Sequence, residues 1–360
     1  MARNFRICRL AALVSLTFPL TLPAAVQPPA PLFAEHGVLR VTLEAPFKKL
    51  MDERSDEDDV AGTFVYLDAD GSSKPLAVEL RTRGHYRRDR VHCDFAPIRL
   101  NFRKTEVAGT LFDGQDKLKL VTQCKPADAG YTKVVPREYL AYRLFQVLTE
   151  ISYGVRLLDL TYVDTQTGTR MTRFAFVIEG EKAVAKRNAL KRVRLKRANE
   201  DDYEPARRNL VDLFEFMIGN TEYSLVNPEP DRSCCHNSDI LSSTGGPPFI
   251  ALPFDFDFAG LVNAPYAEPN PRYPIPSVRN RYYKGLCIDN ALVPATIGLF
   301  ARRRDAVFRV IDEVAGTSSS AHRAMRWSRN YVEKFYDLIG DPNRVQGTLL
   351  DRCQAPAAAQ

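Results

Sequence analysis

An α+β fold is expected from this sequence, because short runs of alternating apolar and polar residues fill its first half and amphipathic helical runs fill its second. A long Pro- and Gly-rich stretch at 219–286 separates those helical runs. The pattern is that of a strand-rich lobe and a helical lobe with a cleft between them.

The strand signals fall at 38–43, 63–67, 76–83, 98–102 and 117–121, each bounded by Gly, Pro or Asp. Asp70-Gly71 marks a hairpin between the second and third. A helix is expected at 136–150, where Leu140, Leu144 and Val147 share a face and Pro136 suits the first turn. Strands at 155–163 and 172–178 follow. Further helices are expected at 204–218, with Leu210, Leu213, Phe214 and Met217 on one stripe, and at 290–314 and 319–340. Within 219–286 only the run 248–253 reads as a strand. A loop of that length inside a compact domain is usually functional or disordered, and the residues it carries favour function.

The first residues have the build of a cleavable export signal. Arg3, Arg6 and Arg9 precede an apolar run from Leu10 to Leu22, and small residues follow at Ala24 and Ala25. That run is too short to span a bilayer, which needs about 20 residues, and no later segment is long and apolar enough to serve as a transmembrane anchor. The expected organisation is therefore a signal peptide at 1–25, a spacer at 26–36, a strand-rich N-terminal lobe at 37–180, a helical C-terminal lobe at 181–353, and a disordered tail at 354–360. Such a protein would be periplasmic or extracellular.

Charge and cysteines agree with export. Three of the positive charges lie in the leader, so the net +6 falls to +3 in the remainder, which makes no case for specific nucleic-acid binding. Of seven cysteines, Cys8 leaves with the leader and six remain, an even number suited to disulfides in an oxidising compartment. Sequence alone does not fix the pairing. Cys93 with Cys124 is the first expectation, and the adjacent Cys234 and Cys235 are expected to bond separately to Cys287 and Cys353, because a ring closed between neighbours is strained. The segment 182–197 holds eight basic residues and precedes Glu200-Asp201-Asp202; it is expected as a solvated helix paired with that acidic run.

Chemistry concentrates in 219–286. Glu222 and Asn227 have the acid-x-x-x-x-Asn spacing of a kinase catalytic loop, and Asp255 and Asp257 leave a short apolar strand. Phosphoryl transfer needs a group to accept or orient the attacking hydroxyl, oxygen ligands for Mg²⁺, and cations for the phosphates. Of Asp255 and Asp257, only one is expected to face a metal directly. His236 is expected to be a structural hydrogen-bonding residue, and His85 and His92 to be surface residues. Arg81, Arg83 and Arg99 fit a solvated strand face equally well.

Six pieces together resemble a known family. Leu80-Arg81-Thr82-Arg83-Gly84, Pro97-Ile98-Arg99-Leu100-Asn101-Phe102 and Arg137-Glu138-Tyr139-Leu140-Ala141-Tyr142-Arg143-Leu144 come first. Phe174-Ala175-Phe176-Val177-Ile178-Glu179, Ile218-Gly219-Asn220-Thr221-Glu222-Tyr223 and Pro253-Phe254-Asp255-Phe256-Asp257 follow in the same order. This succession, over roughly 37–290, looks like the CotH family of atypical secreted kinases. The resemblance implies a divergent two-lobed protein-kinase-like fold and transfer of phosphate from ATP, with Mg²⁺ or Mn²⁺, to a protein acceptor of the serine type. It implies that Glu222 is catalytic, that Asp255 binds metal with Asp257 close by, and that Asn237 or Asn227 supplies the metal-binding amide. Arg99 and Lys119 become the phosphate-side cations, Glu138 lies on the helix behind them, and 176–179 leads to a hinge at Glu179 beside the adenine. The chain departs from the family pattern at Arg99, where Lys is usual, and at Glu222-Tyr223, where Asp-Trp is usual. The longer Glu moves its carboxylate by a distance that can cost roughly 10²-fold in rate. Two rivals from other classes are a pseudokinase-type binding module and a metal-dependent phosphohydrolase built on Asp255 and Asp257, although Ala259 stands where the latter usually has Thr or Val.

Overall fold

The structure, a computed structural model, describes residues 27–68, 70–227 and 234–355. The expected leader and residues 356–360 of the expected tail lie outside the described residues. In chain order the elements are α1 (Pro31–Ala34), β1 (Leu39–Ala45), α2 (Phe47–Glu53), β2 (Val60–Leu67), β3 (Ser73–Thr82), β4 (Ile98–Phe102), α3 (Lys104–Val107), β5 (Lys117–Val121) and α4 (Val134–Leu148). They continue with β6 (Val155–Asp164), β7 (Arg170–Ile178), α5 (Glu181–Arg187), β8 (Lys191–Val193), α6 (Pro205–Ile218), β9 (Ser238–Ser242), β10 (Ile250–Pro253), α7 (Val293–Ala315), α8 (Ser319–Ile339) and α9 (Pro342–Val345).

The first seven strands close into a barrel in the order β1-β2-β3-β4-β5-β7-β6. Neighbours run antiparallel except at the seam, where β1 lies parallel to β6 from Leu39↔Leu158 to Ala45↔Asp164. Alternation decides what faces inward. Leu76, Val78 and Leu80 of β3, Ile98, Leu100 and Phe102 of β4, and Leu118 and Leu120 of β5 fill the interior with residues from the other strands and with Leu32 and Phe33 of α1. Strand β6 is apolar on both faces at its start: Leu158 and Leu160 point into the barrel, while Val155 and Leu157 point out to a second core.

That second core is built on α4, whose side chains are buried on nearly every side. Its sequence reads as a one-faced helix, but it lies between the barrel and helices α7 and α8 and is covered by both. The larger core runs in sequence from Cys93 to Leu349. These two facts overturn the expected two-lobed kinase-like fold. The strands form a closed barrel with its own filled interior, and α4 belongs to the same core as the C-terminal helices. The architecture is a barrel-containing α+β fold.

A small antiparallel sheet, in the order β10-β9-β8, completes the molecule. It corrects two expectations. Much of 219–286 is irregular, but it also contains the hairpin β9–β10, of which only the second strand carried an apolar signal. The basic segment 182–197 is not one solvated helix. It breaks after α5 and continues as β8, and Arg194 pairs with Glu181 and with Asp239, not with Glu200-Asp201-Asp202.

Cys93 is joined to Cys124 as expected, but Cys287 is joined to Cys353 and Cys234 to Cys235. The cause is backbone pairing near the C-terminus. Gln354 donates to Gly285 O and accepts from Cys287 N–H, which seats Cys353 beside Cys287 and leaves Cys234 and Cys235 to each other. No helix of the described residues is long and apolar enough to cross a membrane.

Candidate functional site

The β9–β10 hairpin brings an amide and a carboxylate together. Its pairing places Ser238 opposite Pro253, so Asn237 and Asp255 leave the sheet side by side. Phe254 N–H donates to Asn237 O at 3.0 Å, and Asn237 Nδ2 donates to Asp255 O at 3.5 Å. Both residues have left-handed backbones, φ 52° and 63°, a region Asn and Asp tolerate better than other side chains. The Asp255 N–H donates to the hydroxyl of Tyr142 on α4 at 2.9 Å. Asp255 is exposed and Asp257 is buried. The two acids therefore diverge; two apart on an extended strand they would share a face, and the left-handed turn at Asp255 separates them.

Glu222 reaches the same neighbourhood by a second route. Gly219 ends α6 with φ 69°, at a place where a Cβ would run into the Tyr331 hydroxyl. The chain then turns, and Asn220 Oδ1 accepts from Glu222 N–H at 3.0 Å. Ser224 N–H donates to His236 O and His236 N–H to Asn227 O, at 3.0 and 3.2 Å, so 222–227 lies alongside 235–237. Glu222 and Asn227 line a cavity of about 680 Å³. Of the two candidate amides, Asn237 is the one beside Asp255, whereas Asn227 is exposed on that cavity.

The cations stand on the outer face of the barrel. Register aligns Arg81 with Arg99 and Arg99 with Lys119 across β3, β4 and β5. Arg81 is engaged by Asp59 at 3.0 Å. Nε and Nη2 of Arg99 are buried with no hydrogen-bond partner, and so is Nε of Arg83. Lys119 Nζ lies 4.5 Å over the Phe254 ring, and no carboxylate among the described residues forms an ion pair with it. Burial, with Arg83 nearby, pulls the Lys119 pKa below its ordinary value, and Asp239 and Asp255 partly offset this. Burial lowers Arg83 too, with Asp255 as the leading opposing charge.

Glu138 and Asp257 answer to a different cation. Arg87 approaches both at 3.4 Å and donates to Thr122 O at 2.7 Å, while Tyr266 OH donates to Asp257 at 2.8 Å. Burial raises the Glu138 pKa well above the carboxylate range and that of Asp257 to about 6. Burial opposes the charge on Arg87, but Tyr266, Glu138 and Asp257 hold its proton more tightly than usual. Glu179 is taken up by Arg187 at 3.1 Å and by Gly154 N–H at 2.9 Å.

Among the described residues no three His, Cys, Asp or Glu side chains form a group able to hold a metal ion. The Asn237–Asp255 pair still suits a hard divalent cation, which needs only one or two protein oxygens when phosphates supply the rest. Sequence reasoning missed Arg87, Tyr142, Tyr266 and Lys284. Arg87 was hidden among the surface-like residues 85–90, and no spacing rule links it to Glu138 or Asp257. No family model matches this chain, and no curated protein matches it.

Proposed function

We propose that this protein is an exported, ATP-dependent phosphotransferase acting on hydroxyl groups of a protein acceptor. The single observation carrying this reading is that Arg83 and Lys119, with no ion pair among the described residues, feel the Asp255 carboxylate beside Asn237, while Arg99, aligned with Lys119, holds buried donors without a hydrogen-bond partner. Buried donors without partners are costly and rare, so a cluster of them calls for an anion. Phosphate oxygens fit the donors, and the exposed Asp255 carboxylate fits the cation that accompanies nucleotide phosphates.

In this reading ATP supplies the phosphoryl group, and Mg²⁺ or Mn²⁺, which Asp255 and Asn237 would hold, would supply charge neutralisation at the phosphates. Lys119, Arg99 and Arg83 hold the phosphate oxygens. The acceptor hydroxyl oxygen forms a bond to the terminal phosphorus as the bond to the bridging oxygen breaks. Glu222 receives or orients the hydroxyl's proton, and ADP leaves. Six paired cysteines suit an oxidising compartment, in keeping with the leader read from the sequence. Asp257 is already engaged by Arg87 and Tyr266, which disfavours the phosphohydrolase reading.

A second reading, a nucleotide-binding module without transfer, is favoured by one observation. The cavity lined by Glu222 and Asn227 is not lined by Asp255. Labelled ATP with Mg²⁺ or Mn²⁺ separates the two. Transfer to the chain or to an added protein is expected, with Glu222→Gln reducing it by roughly 10²–10⁴-fold and leaving ATP affinity intact. Asp255→Ala should abolish metal-dependent ATP binding. Nucleotide binding without transfer supports the binding module, and a wild type that binds no nucleotide overturns both.

A further inference from the structure

Lys284 lies in an irregular segment more than sixty residues beyond Glu222, yet its ammonium is aimed at the loop that carries Glu222. Nζ donates to Thr221 O at 3.2 Å and to Tyr223 O, the carbonyls on either side of Glu222. The ammonium also sits 3.9 Å over the Tyr223 ring and 5.3 Å over the Tyr273 ring. The Tyr223 hydroxyl is fixed in turn, donating to Asp212 Oδ1 of α6 at 2.7 Å. Glu222, Tyr223, Asp212 and Lys284 all line the same cavity.

We propose that Lys284 is a positioning residue that sets the place of Glu222 by clamping the carbonyls of its two neighbours. The inference rests on the phosphotransferase reading for its kinetic consequence, though not for the clamp. A backbone loop has little stiffness of its own, and two charge-assisted hydrogen bonds fix the peptides that flank Glu222. The clamp matters most here because Glu reaches further than Asp would, so its carboxylate depends on where the backbone stands. Burial lowers the Lys284 pKa to about 8, opposed by Asp212 and Glu215 of α6 and by Glu222, and aided by Arg272. A neutral amine would still donate hydrogen bonds, though more weakly.

The test compares Lys284→Met, which keeps the apolar stem, with Lys284→Arg, which keeps the charge, and Lys284→Gln, which keeps a donor. In Lys284→Met, kcat should fall by roughly 10²-fold with KM for ATP unchanged, since misplacement of a catalytic group acts on turnover. Lys284→Arg should recover most of that loss and Lys284→Gln part of it. Hydrogen exchange provides a reading independent of activity. The amides of 221–225 should exchange faster in Lys284→Met while those of the barrel strands keep their protection. Unchanged exchange at 221–225, or a kcat equal to wild type, overturns the clamp. If the wild type transfers no phosphate at all, the proposed function fails, and the exchange measurement alone decides for or against the clamp.

Discussion

Two charged groups meet at the junction of barrel and helical core, and they are built on opposite terms. In one, Arg87 is surrounded by acids and acceptors: Glu138, Asp257 and Thr122 O all lie within reach. In the other, Arg99 and Lys119 lie side by side across β4 and β5, and no acid among the described residues forms an ion pair with either. Arg83 joins them, feeling Asp255, Arg87 and Glu138 together. The first group is ion-paired, although Nε of Arg87 also lacks a hydrogen-bond partner, and it fastens the loop at 84–94, α4 and the chain after β10 into one body. The second has no ion pair among the described residues. In the proposed function it is this second group that meets the phosphates.

Breaking the ion-paired group should have the largest effect. Arg87→Met removes the cation from two buried acids, and losing one member of a buried ion cluster typically costs about 3–5 kcal/mol. Urea unfolding should show a loss of that size, and a loss under about 1 kcal/mol would mean that the acids are neutral and need no cation.

A buried acid with no ion pair among the described residues sharpens the comparison. Burial raises the pKa of Glu215 on α6 from 4.5 to about 8, opposed by Asn220 and by the Lys284 charge. The folded state thus keeps a proton that the unfolded chain releases near pH 4.5. Between pH 4.5 and 8 the native state binds more protons, so stability should fall as pH rises through that window, by an amount on the order of a few kcal/mol. Glu215→Gln should flatten the decline. An unaltered slope in urea titrations at pH 5, 6, 7 and 8 would show that Glu215 is not its source.

Lys119→Ala should have the smallest effect on the fold, because no acid among the described residues forms an ion pair with the cation it removes. Stability should change by less than about 1 kcal/mol, while affinity for ATP should fall roughly 10–100-fold, the loss of one charge-assisted hydrogen bond. The reverse outcome, a large loss of stability with ATP affinity retained, would make the second group structural like the first.

Much of the fold was legible because its signals are local. Alternation located all seven barrel strands, and the spacing of Leu210, Leu213, Phe214 and Met217 located α6 within a residue at its start. Closure was not legible. The pairing of β1 with β6 spans more than a hundred residues, and a strand pattern does not state which strand lies beside which. The same gap explains the site. Asp255 and Asn237 carried recognisable chemistry in a recognisable order, but choosing Asn237 over Asn227 required the β9–β10 register. Arg87 carried no signal, since its two acids lie 51 and 170 residues away.

The short strand β8 has a consequence of its own. A closed barrel has no free edge, but a three-stranded sheet has two. Helix α6 packs against β10, while β8 stands at the far side. That strand is three residues long, and Lys191 and Arg192 on it are exposed. A short strand carrying like charges is a poor template for a strand from a second molecule, because pairing would bury ammonium and guanidinium groups for very few backbone hydrogen bonds. The basic run that first reads as a solvated helix therefore keeps the sheet from growing beyond its third strand.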